Sequence, residues 1–305
     1  MRRPWLLIGG ISAAVVVAHI VSFGGQEPQR FGELMNVLHV FGFLILTLLL
    51  LPLALRLAPE RRVQPAVAVV AALAFIALLA TVSEAAQVFV PRDASVGDLL
   101  RDAGGITAGA LLTAAIRGHY RVATAILAIV PLAIVLNEPG RVLIAMAQAE
   151  YRMPALIGFE STLDPLLYSS VNATIIPASA GPGWPLAGKL VDVRAHKGNA
   201  GISFDRLPRN WSSYSALSFL IAPYGDGTSF VTIRIHDSRH NNRYDDRFNR
   251  RLEIGPGPRR IRIPLGDVRA GPRQRALDLP HVEGVIIFVD TAQSDGFLLD
   301  DLRLE

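Results

Sequence analysis

The pattern of apolar residues changes near the middle of the chain, and this change limits the folds that are open to it. Before about residue 138 the sequence is a series of long apolar runs, and after about residue 154 apolar and polar residues alternate between frequent glycines and prolines. Long runs are typical of membrane-spanning helices, while short alternating segments bounded by turns are typical of β-strands. We therefore predict a multi-domain protein in which an all-α membrane helix bundle precedes an all-β sandwich.

Five runs approach the roughly 20 apolar residues that a spanning helix needs, at 5–23, 35–57, 65–89, 99–116 and 123–136. The first run is either an uncleaved helix or a signal peptide, and the absence of a small-residue cleavage site favours the helix. These runs predict a membrane domain of about five helices over 1–138, a linker or interfacial helix over 139–153, and a jelly-roll β-sandwich over 154–305.

The loops between the runs predict which ends of the helices face the cytoplasm. Arginines cluster before the first run, between the second and third, and between the fourth and fifth, and such clusters are enriched in cytoplasmic loops. The N-terminus is therefore expected in the cytoplasm and the C-terminal half on the outer side. The absence of cysteine excludes disulfides and thiolate metal sites, and the nearly balanced charge of +4 gives no indication of nucleic-acid binding.

Polar residues gather where the third and fourth runs meet, at the predicted outer membrane level. Charged groups at membrane depth are costly and usually mark a functional site. A helix cap at Ser95 and a clamp from Arg92 to neighbouring carboxylates would explain the same residues without a ligand, so both interpretations stay open. The residues of this predicted membrane cluster are His39, Glu84, Gln87, Arg92, Ser95, Asp98 and Asp102.

Two glycines follow the acidic start of the fourth run. Gly105 and Gly109 stand four residues apart on one helix face, below Asp98 and Asp102. Because a pair of small residues at this spacing lets a second helix come close, we expect the fourth helix to pack tightly there. This packing is expected to bring its acidic end against the third helix.

The order of these residues resembles the VanZ-like membrane proteins. The matching segments are Glu84 to Gln87, Pro91 to Asp98, Gly105 to Gly109, and LHVFGF around His39, within roughly residues 5–136. The family usually has Asn at the position of Asp102. The resemblance implies a protein of the bacterial inner membrane. Because the founding member is associated with low-level teicoplanin resistance, it also implies a link to glycopeptide resistance, but it supplies no reaction.

The C-terminal half contains segments with the period of β-strands. In VTIRIH, for example, apolar residues alternate with Thr232, Arg234 and His236. About eight strands in this half fit a two-sheet sandwich of jelly-roll type. The predicted strands are 172–177, 188–195, 200–206, 215–222, 231–236, 259–265, 284–290 and 297–304.

This half also resembles the galactose-binding-like jelly rolls that are related to carbohydrate-binding modules. The segments that carry the resemblance are GFE (158–160), NWSSYSALSF (210–219), IRIHDSRHNNRYDDRFNR (233–250), IRIPLGDV (261–268) and LLDDLRL (298–304). The resemblance implies a structural calcium, with Glu160 and Asp300 or Asp301 as oxygen ligands. We predict no other cofactor.

The resemblance further implies a carbohydrate site, and the polar loop 238–250 offers planar hydrogen-bonding groups beside an aromatic ring. The alternative is a solvated loop whose charged groups pair with one another. Trp211 and Tyr214 are interpreted as core or edge residues rather than ligands. The predicted sugar-binding residues are His240, Asn242, Arg243, Tyr244, Asp245 and Arg247.

No nucleophile elbow, phosphate loop or HExxH motif occurs in the sequence. We therefore favour a non-enzymatic envelope protein that contacts membrane lipid and binds a glycan or a lipid-linked envelope precursor. The alternative is an intramembrane enzyme that acts on lipid-linked sugar phosphates through Glu84, Arg92 and Asp98. The sequence does not specify an oligomeric state.

Overall fold

The computed structural model describes residues 29–87, 96–118, 120–224, 227–292 and 294–305. Their elements form two compact units that divide between Gly140 and Arg141. The first unit consists of long apolar helices and the second is a β-sandwich, so the predicted fold class is confirmed.

Four helices in the described residues are long and apolar enough to cross a membrane. They are α1 (Gln29–Glu60), α2 (Pro65–Gln87), α3 (Val96–Arg117) and α4 (Arg121–Arg152). They coincide with the second to fifth predicted spans, whereas the first predicted span lies outside the described residues. Phe43 and Leu46 of α1 pack with Ile76 of α2 in a small buried cluster, and many other apolar side chains stay exposed, as expected for a surface that contacts lipid.

α4 is longer than a membrane crossing requires. It runs without interruption through Pro131 and Pro139 for 32 residues, which corresponds to roughly 48 Å. The predicted linker or interfacial helix is therefore the C-terminal part of this helix. Its residues Val142, Ala145, Met146 and Ala149 have the i, i+3, i+4, i+7 spacing of one helix face, and they belong to the hydrophobic core of the sandwich.

The sandwich consists of two antiparallel sheets. One sheet has the strand order β2-β5-β10-β7-β8, and the other has the order β3-β4-β11-β6-β9 with β1 added to β11. The strands are β1 (Ala155–Ile157), β2 (Tyr168–Val171), β3 (Ala173–Ser179), β4 (Lys189–Ala195), β5 (Asn199–Phe204), β6 (Ala216–Pro223), β7 (Ser229–Asp237), β8 (Phe248–Ile254), β9 (Arg259–Pro264), β10 (Val282–Asp290) and β11 (Gly296–Leu304). A short helix, α5 (Leu265–Arg269), follows β9.

The register of the strands shows which side chains point into the core and which point to the outer face. In the five-stranded sheet Ile233 of β7 lies opposite Ile287 of β10, which lies opposite Ile202 of β5, and all three are fully buried. The neighbouring residue Arg234 therefore points to the outer face of this sheet. Trp211 is also fully buried and donates its indole N–H to the Pro208 carbonyl at 2.8 Å, which confirms its interpretation as a core residue.

The outer faces of the two sheets differ in accessibility. Every residue of β6, in the middle of the larger sheet, is buried, so both faces of that strand are covered. β7 has the matching position in the strand order of the smaller sheet. Its outward residues Thr232, Arg234 and His236 are only partly buried. The smaller sheet therefore offers a sheet surface that a ligand can reach.

Candidate functional site

The predicted membrane cluster is partly assembled in the helical unit. His39 of α1 and Asp102 of α3 are both buried, with 3.5 Å between Nδ1 and Oδ1. Asp98 is buried and forms an ion pair with Arg101 one turn further along α3. Glu84 of α2 is also buried. Arg92, Ser95 and the side chain of Gln87 lie outside the described residues.

The glycines of α3 allow a close helix approach, as the sequence predicted. A Cβ atom on Gly105 would come within 2.2 Å of the Val40 carbonyl oxygen, and one on Gly109 within 2.7 Å of Thr47 Cβ. Both contacts are to α1, so these glycines bring α3 against α1, while α3 also packs against α2, where Ile106 contacts the cluster around Ile76. This approach is what places Asp102 beside His39.

A cavity of about 430 Å³ lies in this unit, but the predicted cluster does not line it. It is bordered by apolar side chains near the loop that joins α1 and α2, including Leu57, Val63 and Phe75. Since Glu84, Asp98 and Asp102 are all at most 4% exposed, they are enclosed by protein rather than presented to solvent. The accessible polar site lies in the sandwich.

Arg275 forms the centre of a partly buried ion-pair network in the sandwich, here called the clamp (Arg275, Asp237 and Asp246). Its Nη2 donates to Asp237 Oδ1 at 2.8 Å and its Nε donates to Asp246 Oδ1 at 2.6 Å. Asp237, which is fully buried at the end of β7, also accepts the backbone N–H of Asp278 at 2.7 Å. Burial alone would raise the pKa of Asp237, but these hydrogen bonds hold it below its usual value.

His240 connects the clamp to the outer face of the sheet. Its Nδ1 lies 3.0 Å from the Asp246 carbonyl oxygen, so this nitrogen carries the proton, and Nε2 accepts a hydrogen bond from Arg234 Nη2 at 3.1 Å. The side chain is only 4% exposed. The sequence predicted His240 as a sugar ligand. In the structure its ring is buried under the outer face of the sheet and orients the side chain of Arg234.

The remaining predicted sugar-binding residues lie in the turn between β7 and β8. Arg243 and Asp245 pair with each other at 3.4 Å, and Asn242 occupies a left-handed backbone conformation with φ of 67°. Tyr244 is 71% exposed, and the Arg247 guanidinium lies 5.4 Å from its ring centroid. Tyr244 and Arg247 thus form an accessible aromatic and cationic pair, whereas Arg243 and Asp245 satisfy one another.

The outward side chains of β7 and β8 continue this surface, which we call the open face (Arg234, His236, Tyr244, Arg247 and Asn249). Arg234 lies directly opposite Asn249 in the register of the two strands. His236 lies opposite Gly284 of β10, where a Cβ atom would come within 2.6 Å of the imidazole Cε1. Glycine at this position therefore leaves room for the imidazole ring beside β10.

Sequence reasoning did not select Arg234, His236 or Asn249 as site residues. The alternation in β7 already predicted that Arg234 and His236 point away from the core. What identifies them as site residues is that these polar side chains point outward from a sheet whose outer face is uncovered. The strand order, which is known only from the structure, shows that this face is uncovered. Phe230 and Arg251 extend the same surface along the strands, with the guanidinium 4.2 Å from the ring centroid.

The electrostatic environment of the open face is cationic. Burial, together with the neighbouring Arg234, His240 and Arg247, lowers the pKa of His236 to about 4 against an opposing effect of Asp237. The imidazole is therefore neutral near pH 7. Burial also lowers the pKa of Arg234, and the charge of Arg247 adds to this effect.

The three carboxylates predicted to bind calcium have hydrogen-bond or ion-pair partners within the sandwich. Asp301 is bound by Arg260 and by Arg303, whose Nε lies 2.9 Å from Oδ1. Asp300 accepts the Trp184 indole N–H at 2.9 Å, and Glu160 accepts the Lys189 backbone N–H at 2.7 Å. In the parts of the chain that the structure describes, no group of three histidine or acidic residues is arranged to hold a metal ion. Arg260 and Arg303 thus neutralise Asp301, and calcium binding by these carboxylates stays a prediction.

Comparisons with known proteins give similar folds for the sandwich and no family for the chain. No protein-family model and no curated protein matches. The C-terminal half is similar in fold to the family 11 carbohydrate-binding module from Clostridium thermocellum, solved with a β-1,3-1,4-mixed-linked tetrasaccharide (20% identity, 50% of this chain and 94% of that chain, TM-score 0.39). It is also similar to the family 11 module of the cellulosomal cellulase Lic26A-Cel5E of Clostridium thermocellum (18% identity, 49% and 92%, TM-score 0.37).

A third similar structure is an exo-β-agarase (15% identity, 50% of this chain, TM-score 0.40), of which the match covers only 24%. What these structures share with this chain is a two-sheet sandwich. The resemblance to VanZ-like proteins has no matching family model.

Proposed function

We propose that this protein is a membrane-anchored glycan-binding protein whose binding site is the open face of the sandwich. The observation that supports the proposal is one accessible sheet surface on which partly buried hydrogen-bonding side chains, Arg234, His236 and Asn249, adjoin the exposed ring of Tyr244. The other face of the same strands is packed core, so these groups are held on a rigid support.

This combination suits a sugar for chemical reasons. A pyranose ring presents hydroxyl groups around its rim and C–H groups on its faces. Guanidinium, imidazole and amide groups can hydrogen-bond to the hydroxyls in defined directions, while an aromatic ring can cover a C–H face. Because β7 and β8 fix the side chains before binding, little conformational entropy is lost when the ligand arrives.

The membrane helices provide the anchor and the contact with lipid. α1 to α4 have the length and composition of membrane spans. The arginines that join α1 to α2 and α3 to α4 favour the cytoplasmic side for those loops. The C-terminus of α4 and the sandwich after it are then extracytoplasmic, where envelope glycans occur, and a bacterial inner membrane is the proposed location. A VanZ-like role in glycopeptide resistance is not required by this proposal.

The proposal is tested by glycan binding to the full-length protein in detergent micelles. A panel of immobilised envelope and plant-type polysaccharides is screened, and binding is compared between the wild type and Tyr244→Ala. Loss of the ring should weaken a bound glycan by roughly tenfold, the loss expected for a contact of 1–1.5 kcal/mol. Tyr151→Ala is the matched control, because Tyr151 is exposed on α4 and outside the open face. Equal binding by both variants would contradict the proposal.

An intramembrane enzyme remains the second candidate, because His39, Glu84, Asp98 and Asp102 are buried in a unit that can span a membrane. Ionisable groups at such depth are normally kept for a function. The distinguishing assay incubates purified protein with lipid-linked sugar phosphates and compares wild type with Glu84→Gln. Turnover that is lost in the variant would favour the enzyme, and an unchanged lipid in both samples would count against it.

A further inference from the structure

Two partly buried arginines on the open face differ from the arginines of the sandwich that form ion pairs. Among the described residues, neither Arg234 nor Arg247 has a carboxylate partner, although Arg234 bonds to His240 and Arg247 lies over Tyr244. The acidic residues nearest in sequence are engaged elsewhere, since Asp245 pairs with Arg243 and Asp246 with Arg275. Glu253 lies six residues from Arg247 along β8, which corresponds to roughly 20 Å.

Pairing with a carboxylate is common among the other sandwich arginines. The pairs are Arg152 with Asp164, Arg194 with Asp192, Arg209 with Glu283, Arg250 with Asp267, Arg262 with Glu305, and Arg260 and Arg303 with Asp301. The chain therefore supplies acidic partners where arginines serve the fold. Their absence around Arg234 and Arg247 needs another explanation.

Holding the two guanidinium groups together is unfavourable for the protein alone. Both side chains are partly buried, which weakens their hydration, and the charge of Arg247 opposes that of Arg234. In addition, the Nε atoms of both arginines and Nδ1 of His236 are buried without a hydrogen-bond partner in the described part of the chain. Buried polar atoms of this kind are normally satisfied in the functional state of a protein.

We propose that the glycan bound by the open face is acidic, and that Arg234 and Arg247 bind its carboxylate or sulfate group. This inference rests on the proposed glycan-binding function and specifies the class of ligand. A planar guanidinium group forms paired, charge-assisted hydrogen bonds with such anions, which would neutralise both arginines at once. A neutral sugar would cover the same surface and leave two like charges uncompensated.

The first experiment compares ligands that differ only in charge. Binding of oligogalacturonate to the full-length protein in micelles is measured beside binding of its methyl ester, and dextran sulfate is measured beside dextran. Removing the negative charge should weaken binding by roughly ten- to a hundredfold, as expected for hydrogen bonds to charged groups. Preference for oligogalacturonate identifies a carboxylate ligand, and preference for dextran sulfate identifies a sulfated one.

The second experiment compares two arginines on one strand. Arg247→Gln removes a charge from the open face, whereas Arg250→Gln removes one from the opposite side of β8, where Arg250 pairs with Asp267. The first variant should lose most of the preference for the charged ligand, and the second should keep it. Arg234→Lys, which retains the charge without the planar fork, should bind more weakly than wild type but better than Arg234→Gln. Thermal unfolding of each variant checks that it is folded.

The outcomes separate this inference from the proposed function. If methyl-esterified oligogalacturonate or dextran binds as well as its charged counterpart, and Tyr244→Ala weakens both, glycan binding stands and the acidic ligand is refuted. If no glycan binds, the proposed function itself fails. If inorganic polyphosphate competes fully and Tyr244→Ala has no effect, the arginines attract anions without recognising a sugar, and the inference is refuted.

Discussion

Two groups of arginines in the β-sandwich are connected through Asp246 and His240, yet they differ in what neutralises them. Arg275 in the clamp is enclosed by Asp237 and Asp246 and needs nothing further. Arg234 and Arg247 on the open face have no such partners among the described residues. The same residue type thus stabilises the fold in one place and, in our proposal, is held ready for a ligand in the other. The difference lies in the surrounding carboxylates rather than in the arginines themselves.

The largest effect is expected when the clamp is broken. Arg275→Ala leaves Asp237 fully buried without its counter-ion, and removal of one partner of a buried pair typically costs about 3–5 kcal/mol. The free energy of unfolding is measured by urea titration of the full-length protein, followed by tryptophan fluorescence. Arg273→Ala is the control, because Arg273 is exposed in the same segment. A similar loss of unfolding free energy in Arg275→Ala and Arg273→Ala would mean that the ion pairs of the clamp do not stabilise the fold.

In an acid titration, the open face and the clamp should lose their contributions to stability in different pH ranges. The pKa of His236 is lowered to about 4 in the folded protein, so the unfolded chain binds a proton at higher pH than the folded one does. Stability should therefore fall as the pH drops from about 6.5 to about 4, by about 1–2 kcal/mol after allowance for partial exposure. The clamp carboxylates, whose pKa values are lowered, should lose their contribution only below about pH 4.

The variant His236→Gln isolates the contribution of His236. In this variant the fall of stability between about pH 6.5 and pH 4 should become shallower than in the wild type. An unchanged profile in His236→Gln would show that the imidazole does not carry this pH dependence.

A smaller effect, of opposite sign, is expected for the open face. Arg247→Gln removes a charge that opposes Arg234, so the free energy of unfolding should stay the same or rise by up to about 0.5 kcal/mol. Urea titrations at about 50 and about 200 mM NaCl should show the difference shrinking with salt, because screening weakens the repulsion. A loss above about 1 kcal/mol would mean that Arg247 serves the fold, as Arg275 does.

The smallest effect on stability is expected for Tyr244→Ala. The ring is 71% exposed, and exposed substitutions generally change stability by less than about 0.5 kcal/mol. Glycan binding should nevertheless be weakened in this variant. A large loss of stability together with lost binding would show that Tyr244 orders the turn rather than contacting the ligand.

The sequence predicted most strands of the sandwich because their apolar residues alternate. All eight predicted strands are present, and the structure adds β1, β2 and β8. β8 was not predicted, because its sequence FNRRLEI has charged residues on both faces of the strand. Arg250 pairs with Asp267 at the sheet edge, and Arg251 faces outward. An edge strand tolerates such residues, so its alternation is weak in the sequence.

The candidate site was less predictable, because its properties depend on residues that are distant in sequence. The loop with Tyr244 and Arg247 could be selected for its composition, but His240 appeared to be an equally good ligand until its bonds to Asp246 and Arg234 were known. Arg275 could not be assigned to Asp237, which lies 38 positions away. Likewise, glycine spacing predicted tight packing in the membrane unit without indicating α1 as the neighbour.

The participation of α4 in the sandwich core has a practical consequence for dissecting the protein. Val142, Ala145, Met146 and Ala149 fill part of the same apolar interior as the strands. A soluble fragment that begins at Pro154 would remove this layer and expose the apolar surface beneath it to water. Truncation for ligand studies should therefore retain the chain from Arg141, where the second compact unit begins.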